Sequence, residues 1–588
     1  MDYNLNKLSA KQQKTSTLVA LKKLLQLIEH ERKNLWMALC AILVNSSLTL
    51  LGPYIVGQTI NNYMQGAHKD YNGVVRNGCV LLAMFLTALV SGYLQTKLMG
   101  GIGQRMLFTL RNAIFGKLQQ LPVDFFNQNK AGDLISRVNN DTDKINQFFS
   151  QSLMQFIGSL ATMIGAGVAL LVIHTNLGLV ALSPGLLILL FTFVVSPWVK
   201  KTNASNMKSI GGMSAEIQES LNNFRVIIAF NRRDYFRKRF DEANKQNYRT
   251  AIKAGVANNI FLPVYSFFSS MSQLLVVIFG LYLISQHNMQ VGFLVSYILY
   301  ATYFYNPLRQ LASLWANFQA AMASWDRVSD IISLENNLDV VEIKAEEKSD
   351  TLLEFKNVHF GYVPEHEILH NVSFKLERGK TYALVGPTGG GKTTTASLIA
   401  RLYDPSKGEV LLDGRDIRSY QPEEKTKMIG FILQEPFLFT GTVKENILYG
   451  NELYLEHSNE AFEQVITDAG LGDLLALFDE GLDTKVTTGG DGISLGQKQL
   501  IAFMRAALRN PEILILDEAT ANIDTVTEKL LGNILDKLPD TTTRVIIAHR
   551  LNTIENADEI FFVNSGEVVT AGSFDHAVNM LLHEKRVS

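Results

Sequence analysis

The chain has 588 residues and a formal net charge of −2 at pH 7. A chain of this length exceeds what one hydrophobic core usually supports, so more than one domain is expected. The nearly balanced charge gives no sign of a polyanionic partner, which argues against nucleic-acid binding. The two cysteines, Cys40 and Cys79, are too few for a disulfide framework or a cysteine-metal cluster.

Residues 1–33 predict a cytoplasmic N-terminus that ends in an amphipathic elbow helix. From Lys22 to Lys33, leucine and isoleucine side chains are interspersed with lysines and arginines. This composition is typical of a helix that lies on a membrane surface with its apolar side in the lipid.

Residues 34–335 contain long stretches without any Asp, Glu, Lys or Arg, namely 34–68, 77–96, 145–199 and 254–308. Since about 20 apolar residues cross a bilayer, each of the first two stretches predicts one span. Each of the last two is longer and has a polar break, at His174-Thr175-Asn176 and at Ser285–Asn288, so each predicts two. Helices of a soluble protein rarely stay uncharged on all faces for so long, which favours an all-α domain of six transmembrane helices.

The loops between these spans predict their orientation. Basic residues concentrate in residues 97–144 and 200–253, whereas the loops at the other side are short and nearly uncharged. We therefore expect a multi-pass protein of the cell inner (cytoplasmic) membrane, with both long loops and both termini in the cytoplasm. Helical periodicity continues through both long loops, so the spans should extend into the cytosol and contact another part of the protein there.

Residues 336–351 include a charged run and are predicted to be a linker to a second domain, residues 352–588. In that domain, short apolar runs alternate with helical stretches, which predicts an α/β fold. The runs expected to be strands include Leu352–Phe355, Tyr382–Val385, Glu512–Leu516 and Arg544–Ile547.

The second domain contains a phosphate-loop pattern, Gly386-Pro387-Thr388-Gly389-Gly390-Gly391-Lys392-Thr393. Glycines let the backbone curl so that N–H groups and a helix N-terminus point at one phosphate group. Lys392 adds a positive charge, and the Thr393 hydroxyl can bind Mg²⁺. A glycine-rich turn that binds nothing is the alternative, but the predicted strand before it and the predicted helix after it favour a nucleotide site.

Four further residues are candidates for a hydrolytic site. The apolar run Glu512–Leu516 ends in Asp517 and Glu518, which could reach a metal ion and an attacking water. His549 follows another predicted strand and could sense a γ-phosphate, although a lone histidine there is often only structural. Gln434 follows the run Ile429–Leu433 and could likewise be an ordinary loop amide.

The order and spacing of these motifs resemble an ATP-binding cassette. With the six predicted spans before it, the chain is similar over nearly its whole length to a type IV (exporter-type) ABC transporter half. The motifs that carry the resemblance are Tyr362, the phosphate loop, Gln434, Ile493-Ser494-Leu495-Gly496-Gln497, Asp517-Glu518, Ala521-Asn522-Ile523-Asp524 and His549.

The resemblance implies ATP and Mg²⁺ as cofactors and an ATP hydrolase coupled to transport. It implies that Tyr362 stacks on adenine and that Lys392, Thr394 and the loop amides belong to the ATP-binding set. Thr393, Gln434 and Asp517 would be the metal ligands, Glu518 the general base and His549 the switch residue at the γ-phosphate. The segments with Asp124-Phe125-Phe126 and Gly132-Asp133, and from Glu219 to Phe230, would be the coupling helices.

One motif departs from the family. The family signature Leu-Ser-Gly-Gly-Gln is Ile493-Ser494-Leu495-Gly496-Gln497 here, so Leu495 replaces a glycine. In the family, Ser494, Leu495, Gly496 and Gln497 would face the nucleotide bound by the other cassette, and a side chain should crowd the γ-phosphate. Intact catalytic residues beside a degenerate signature resemble one half of a bacterial heterodimeric multidrug exporter, and a homodimer that tolerates leucine is the alternative.

The substrate is less defined by the sequence. Tyr297, Tyr300, Tyr303, Phe304 and Tyr305 on the last span, with Tyr265, Phe267, Phe268 and Gln273 on the fifth, could line a cavity for hydrophobic drugs, lipids or short peptides. Aromatic residues are equally common on lipid-facing surfaces. A membrane sensor that moves no substrate, and an importer built on the exporter fold, are the alternative functions.

Overall fold

The computed structural model describes residues 3–5, 31–65, 70–335, 338, 340–341, 351–363, 365–487, 492–517, 530–532, 534–535, 538–548, 557–571, 576 and 578. The chain packs into two compact units. One combines Met1–Leu5, Gln120–Ala131 and Leu334–Ser588, and the other combines Asn6–Gln119 with Gly132–Ser333. These units group segments that pack together, whereas the predicted domains are continuous stretches of the chain. The predicted domain boundaries, at residues 33/34, 335/336 and 351/352, therefore stay predictions.

Helices dominate the chain before residue 335. Two of them continue through π-helical turns, Arg137–Asp141 after α4 and Phe148–Ser152 after α5, so that α4 to α6 form one continuous helical segment. A third π-helical turn, Ile60–Met64, ends the first helix. In chain order the helices are α1 Arg32–Thr59, α2 Tyr71–Gln120, α3 Val123–Gln128, α4 Ala131–Ser136, α5 Thr142–Gln147, α6 Leu153–Ile173, α7 Thr175–Asn222, α8 Phe224–Ala229, α9 Arg233–Asn259, α10 Phe261–Ser285 and α11 Val291–Ile332.

Five helical segments in the described part of the chain are long and apolar enough to cross a membrane. They are Arg32–Met64, Tyr71–Gln120, Ala131–Ile173, Thr175–Asn222 and Arg233–Ser285. The sixth predicted span is helix α11, which is less apolar because tyrosines interrupt its first half, and it packs against α1, α6 and α10. The predicted helical transmembrane domain is confirmed, as is the extension of the spans into long helices.

Three tyrosines of α11, Tyr297, Tyr300 and Tyr305, are buried between helices. The Tyr297 hydroxyl donates to the backbone carbonyl of Leu170 at 2.6 Å, and the Tyr300 hydroxyl donates to that of Leu50 at 2.7 Å. The Tyr305 hydroxyl donates to the Ala181 carbonyl at 2.8 Å, and all three side chains are at most 4% exposed. A buried hydroxyl needs such a partner in an apolar medium, so these residues hold helices together.

The expectation that these three tyrosines line a substrate cavity is therefore wrong for this structure, because each ring is enclosed by helices of its own chain. Tyr265 on α10 is also buried, and its hydroxyl lies 2.7 Å from the Thr192 hydroxyl. Phe267 remains exposed and is still available to lipid or substrate.

A buried ion-pair cluster surrounds the π-helical turn after α4. The Arg137 side chain is 2% exposed, and its guanidinium donates to Asp133 Oδ2 at 2.9 Å and to the Arg327 carbonyl at 2.7 Å. It also lies 3.8 Å from Asp330 Oδ2 on α11, a carboxylate that is itself buried. The guanidinium therefore neutralises buried charge and joins the α4 segment to α11.

Replacing Arg137 with methionine should lower the free energy of unfolding by about 3–5 kcal/mol, because the Asp330 carboxylate would stay buried without this guanidinium. Thermal unfolding of the detergent-solubilised protein measures the effect. Arg111→Met is the matched control, since Arg111 forms an exposed pair with Asp143 at 3.0 Å and should lose less than about 1 kcal/mol. Equal losses in both variants would contradict the importance of the buried cluster.

The unit that contains residues 334–588 is an α/β domain, whose described residues form three sheets. Short 3₁₀ turns at Ile417–Ser419, Glu452–Tyr454, Gly472–Leu477 and Gly481–Asp483 connect its elements. Its elements are β1 Thr351–Phe360, β2 Leu369–Glu377, β3 Thr381–Val385, α12 Lys392–Ile399, β4 Lys407–Leu412, β5 Arg415–Asp416, α13 Pro422–Met428, β6 Ile429–Ile432, β7 Gly441–Thr442, α14 Val443–Leu448, α15 Asn459–Asp468, β8 Lys485–Val486, α16 Leu495–Ala507, β9 Ile513–Asp517, β10 Thr543–Ile547, β11 Glu559–Asn564 and β12 Glu567–Thr570.

The largest sheet has six strands in the order β12-β11-β3-β10-β9-β6. Strands β11, β3, β10, β9 and β6 are parallel to their neighbours, and β12 is antiparallel to β11. All five residues of β9 are buried, as expected for a parallel strand covered on both faces. The carboxyl ends of the parallel strands therefore meet at one edge, which is where ligands bind in such sheets.

A four-stranded antiparallel sheet, β2-β1-β4-β5, packs beside the parallel sheet. Apolar residues of both sheets and of α12 form one core, which includes Phe355, Phe561 and Ile399. A second core lies between the parallel sheet and helices α14 to α16, around Phe462 and Phe503. The predicted α/β fold is confirmed.

Candidate functional site

The phosphate loop connects the buried strand β3 to the first turn of α12. Gly386 and Gly391 have φ angles of +144° and +115°, which side chains with a Cβ rarely adopt. A Cβ on Gly391 would also come within 2.7 Å of a methyl group of Leu369. The sequence needs glycine at these positions, and the resulting curl leaves a backbone cradle at the helix N-terminus that suits a phosphate group.

Lys392 begins α12 and folds back over this loop. Its side chain is buried, and Nζ donates to the carbonyl oxygens of Gly386 at 2.8 Å and Pro387 at 2.9 Å. This holds a positive charge against the loop whose N–H groups would face a phosphate. An ammonium group and a glycine-rich cradle together form the donor set that nucleotide phosphates require.

Two metal-binding candidates come together at the edge of the sheet. Thr393 Oγ1 lies 3.4 Å from Asp517 Oδ1, at the carboxyl end of β9, and Asp517 is 6% exposed. A hydroxyl and a carboxylate oxygen are the hard ligands that Mg²⁺ prefers, so these residues fit the metal that the resemblance implies.

Gln434 comes two residues after β6, which pairs with β9 in parallel register. It therefore lies at the same edge of the sheet as Asp517, with an exposed side chain. Its backbone carbonyl accepts a 2.8 Å hydrogen bond from the buried side chain of Gln499 on α16. Gln499 thus fixes the Gln434 loop, a role that no local pattern in the sequence indicates.

Tyr362 follows β1 and stands beside the start of α12. Its hydroxyl lies 3.2 Å from Thr394 Oγ1, and its ring meets Phe360 and Tyr403 edge to face, each with ring centroids 5.1 Å apart. The side chain remains 38% exposed. An aromatic ring fixed at its edge and open on a face can stack on a flat base.

Tyr403 was not a candidate from the sequence. Besides its contact with Tyr362, its hydroxyl accepts a 2.7 Å hydrogen bond from Asn127 Nδ2 on α3. Burial raises the pKa of the Tyr403 hydroxyl, which keeps it neutral. Tyr403 therefore joins the aromatic cluster at Tyr362 to the short helix α3.

The far end of α12 is also held by a half-buried cation. Lys425 Nζ donates to the carbonyl oxygen of Ala400 at 2.9 Å, just after the helix ends. Burial lowers the pKa of Lys425 to about 8. A positive charge at a helix C-terminus complements the helix dipole, so this contact supports the helix that opens at the phosphate loop.

The signature segment starts α16. Ser494 is the N-cap, and it exchanges two hydrogen bonds with Gln497 in a capping box, at 3.2 and 2.9 Å. Leu495 is the first helical residue, is 37% exposed and does not have a positive φ angle. The leucine therefore fits the backbone. Its expected cost to nucleotide binding comes from the volume of the side chain beside the N–H groups of the first helical turn, one of which belongs to Gly496.

Glu518 and His549 lie outside the described residues, so their predicted roles stay predictions. The residues directly before them are described. Asp517 ends β9, and Ala548 follows β10, the strand that pairs with β9 in register Ile547 to Asp517.

Two family models match the chain. The model for the ABC transporter transmembrane region matches residues 35–308, and the model described as ABC transporter matches residues 369–521. The first match covers most of the helical part, and the second contains the phosphate loop, Gln434, the signature segment and Asp517.

Curated relatives are similar over most of their length. The chain is 33% identical over 560 residues, 93% of its own length and 90% of the relative, to the uncharacterized ABC transporter ATP-binding protein YfiC of Bacillus subtilis. It is 32% identical over 513 residues, 87% and 80% of the two chains, to the fatty acid ABC transporter ATP-binding/permease protein of Mycobacterium tuberculosis. It is 32% identical over 496 residues, 84% of each, to the ATP-dependent lipid A-core flippase of Haemophilus influenzae.

Proposed function

The chain belongs to the ABC transporters as an exporter-type half-transporter, and from this premise we propose that it exports hydrophobic or amphipathic compounds as one half of a heterodimer. Its multi-pass helical part spans the membrane, and its cassette hydrolyses ATP in step with transport. The proposed location is the inner membrane, with both termini in the cytoplasm, as the basic residues of the long loops indicate.

The geometry of the phosphate loop is the observation that carries the ATP-driven part of this proposal. We propose that the ATP phosphates are held by Lys392 and by the amides of Gly389, Gly390 and Gly391. Pro387, Thr388 and Thr394 would belong to the same ATP-binding set. Tyr362 would stack on adenine. Each role is supported by the position of the residue around the N-terminus of α12.

Thr393, Asp517 and Gln434 would hold Mg²⁺, which supplies positive charge to the phosphate oxygens during transfer. The 3.4 Å approach of Thr393 and Asp517 and the position of Gln434 at the same sheet edge support this assignment. Glu518 would act as the general base, and His549 would contact the γ-phosphate.

The names of two relatives support an amphipathic cargo. One is named for fatty acids and another for lipid A-core, and both kinds of molecule combine an apolar and a polar part. Hydrophobic drugs and short peptides share this chemistry and stay within the proposed substrate class.

The experiment is a flux assay in inverted membrane vesicles that contain this chain and its partner half-transporter, for which the neighbouring reading frame is the first candidate. On addition of ATP, we expect a hydrophobic dye to accumulate inside the vesicles at a rate at least about tenfold above that without ATP. Vesicles that carry Glu518→Gln are the control, since ATP should bind there without driving accumulation.

Normal ATP hydrolysis without movement of any compound in a panel of dyes, lipids and peptides would contradict export. That result would favour a membrane sensor that uses the same cassette to signal. Accumulation in right-side-out vesicles loaded with ATP inside would instead favour an importer.

A further inference from the structure

The first described residues of the chain are packed into the same compact unit as the cassette. Tyr3 and Leu5 are 1% and 0% exposed. Large side chains that are this completely buried hold their segment in place. We call residues 3–5 the strap.

The strap binds the short helix α3 and the residue after it through paired amides. The Tyr3 N–H donates to Gln128 Oε1 at 2.9 Å, and the Leu5 N–H donates to Asn129 Oδ1 at 3.1 Å. Asn129 Nδ2 in turn donates to the Tyr3 carbonyl at 2.9 Å. The side chains of Gln128 and Asn129 thus form hydrogen bonds with the backbone of the strap.

The Tyr3 ring connects this segment to the start of the linker. The ring stands perpendicular to that of Phe125, at 6.3 Å between centroids, and Phe125 is fully buried. The Tyr3 hydroxyl donates to the backbone carbonyl of Glu335 at 3.2 Å, three residues after α11 ends. One side chain therefore joins α3 to the chain that leaves the last long helix.

Helix α3 has only six residues, which is too short to be stable without packing. Its own side chain Asn127 reaches Tyr403 beside Tyr362, while Phe125, Gln128 and Asn129 hold the strap. The strap and the aromatic cluster therefore both hold this short helix, and each does so through different side chains.

We propose that the strap is a positioning element that holds α3 against the cassette. With the strap in place, α3 moves together with the nucleotide site, whereas without it α3 would shift relative to the cassette. The inference rests on the proposed function and on the resemblance, which implies a coupling helix at Asp124-Phe125-Phe126, within α3. Tyr3 and Leu5 act through α3 and would contact neither ATP nor substrate. Loss of the strap should therefore separate hydrolysis from transport.

The test compares wild type with the double variant Tyr3→Ala/Leu5→Ala in the full-length chain, reconstituted with its partner. ATP hydrolysis and dye transport are measured in the same proteoliposomes. We expect hydrolysis to stay within about twofold of wild type, while the dye moved per ATP falls at least about fivefold. Hydrogen exchange at the amides of α3 should become at least about tenfold faster, because local opening is no longer opposed by the strap.

Two further variants separate positioning from general stability. Tyr3→Phe keeps the buried ring and removes the hydroxyl that donates to the Glu335 carbonyl, so it should transport within about twofold of wild type. Asn129→Leu removes both amide bonds to the strap, together with the 2.8 Å bond that Asn129 donates to the Phe125 carbonyl. It should reproduce the loss of coupling, which provides a second route if the double variant does not fold.

A double variant and an Asn129→Leu variant that both move as much dye per ATP as wild type would overturn the proposal. A parallel fall of hydrolysis and transport would also overturn it, since the strap would then serve only the stability of the fold. Wild-type protein that hydrolyses ATP but moves no dye would refute the proposed function instead, and hydrogen exchange at α3 would then decide whether the strap holds the helix.

Discussion

Replacing Glu518 with glutamine should lower ATP hydrolysis at least about a hundredfold while ATP binding survives. Glutamine has nearly the same size as glutamate but cannot accept a proton from the attacking water. Phosphate release by the complex with the partner chain measures hydrolysis, and equilibrium binding of a labelled nucleotide measures affinity. His549→Ala should reduce hydrolysis to a similar extent, because the γ-phosphate would lose its proposed contact.

Glu512→Gln is the matched control for this experiment. Glu512 lies just before the opposite end of strand β9, and its exposed side chain pairs with Arg378. An exposed pair contributes little, so hydrolysis should stay within about twofold of wild type. Near-normal turnover in Glu518→Gln would mean that the hydrolytic site uses the partner's residues, and the assigned roles would be wrong.

The nucleotide-binding fold could be predicted because its main strands have a strong local pattern. Tyr382–Val385, Glu512–Leu516 and Arg544–Ile547 are short apolar runs, and each forms a buried strand within one residue of the predicted bounds. The site residues follow these runs directly. The carboxyl ends of parallel strands share one edge of a sheet. Residues that directly follow predicted parallel strands are therefore expected to meet at a common site.

Residues that support the site had no comparable pattern. Gln499 and Tyr403 are a glutamine within a helix and a tyrosine after one, and their partners Gln434 and Asn127 are distant in the chain. Nothing in their local spacing indicates these contacts. The same is true of the strap, where two apolar residues are too few to show a helix or strand period.

The tyrosines of α11 illustrate a different limit. Aromatic residues on a membrane span can face lipid, line a cavity or pack between helices, and composition alone does not separate these environments. The choice depends on which backbone carbonyls lie within reach of the hydroxyl. For Tyr297 and Tyr300, those carbonyls belong to α6 and α1, which only the folded bundle places beside them.

The two long loops that are predicted to be cytoplasmic, residues 97–144 and 200–253, are also predicted to be helical, but their interruptions are not predicted. The helix breaks after Gln120 and again after Asn222, and each break is followed by a helix of six residues, α3 and α8. Helix α3 contains the predicted coupling segment Asp124-Phe125-Phe126. Helix α8 lies within the predicted segment Glu219–Phe230, which begins in the last turn of α7. Gly132-Asp133 lies in the next helix, α4, so the first predicted segment is divided between two elements.

The chain purified alone should hydrolyse ATP at least about tenfold more slowly than its complex with the right partner, because a working site needs a signature without a side chain over the γ-phosphate. Leu495 fits its backbone at the start of α16 and is 37% exposed there, so its bulk adds to the surface that would approach the nucleotide. Hydrolysis by the chain alone, and after co-expression with the neighbouring half-transporter, measures the difference. Size-exclusion chromatography with mass measurement should give a one-to-one complex.

Leu495→Gly in the partnered enzyme tests the same asymmetry. If the active site combines Lys392, Glu518 and His549 of this chain with the partner's signature, removing the leucine changes only the other site. Hydrolysis should then stay within about twofold of wild type, because the leucine site would still lack a base. A rise well beyond twofold would mean that the partner also supplies a catalytic glutamate. An active, stable homodimer of this chain with two equivalent sites would contradict the heterodimer while leaving the transporter family unchanged.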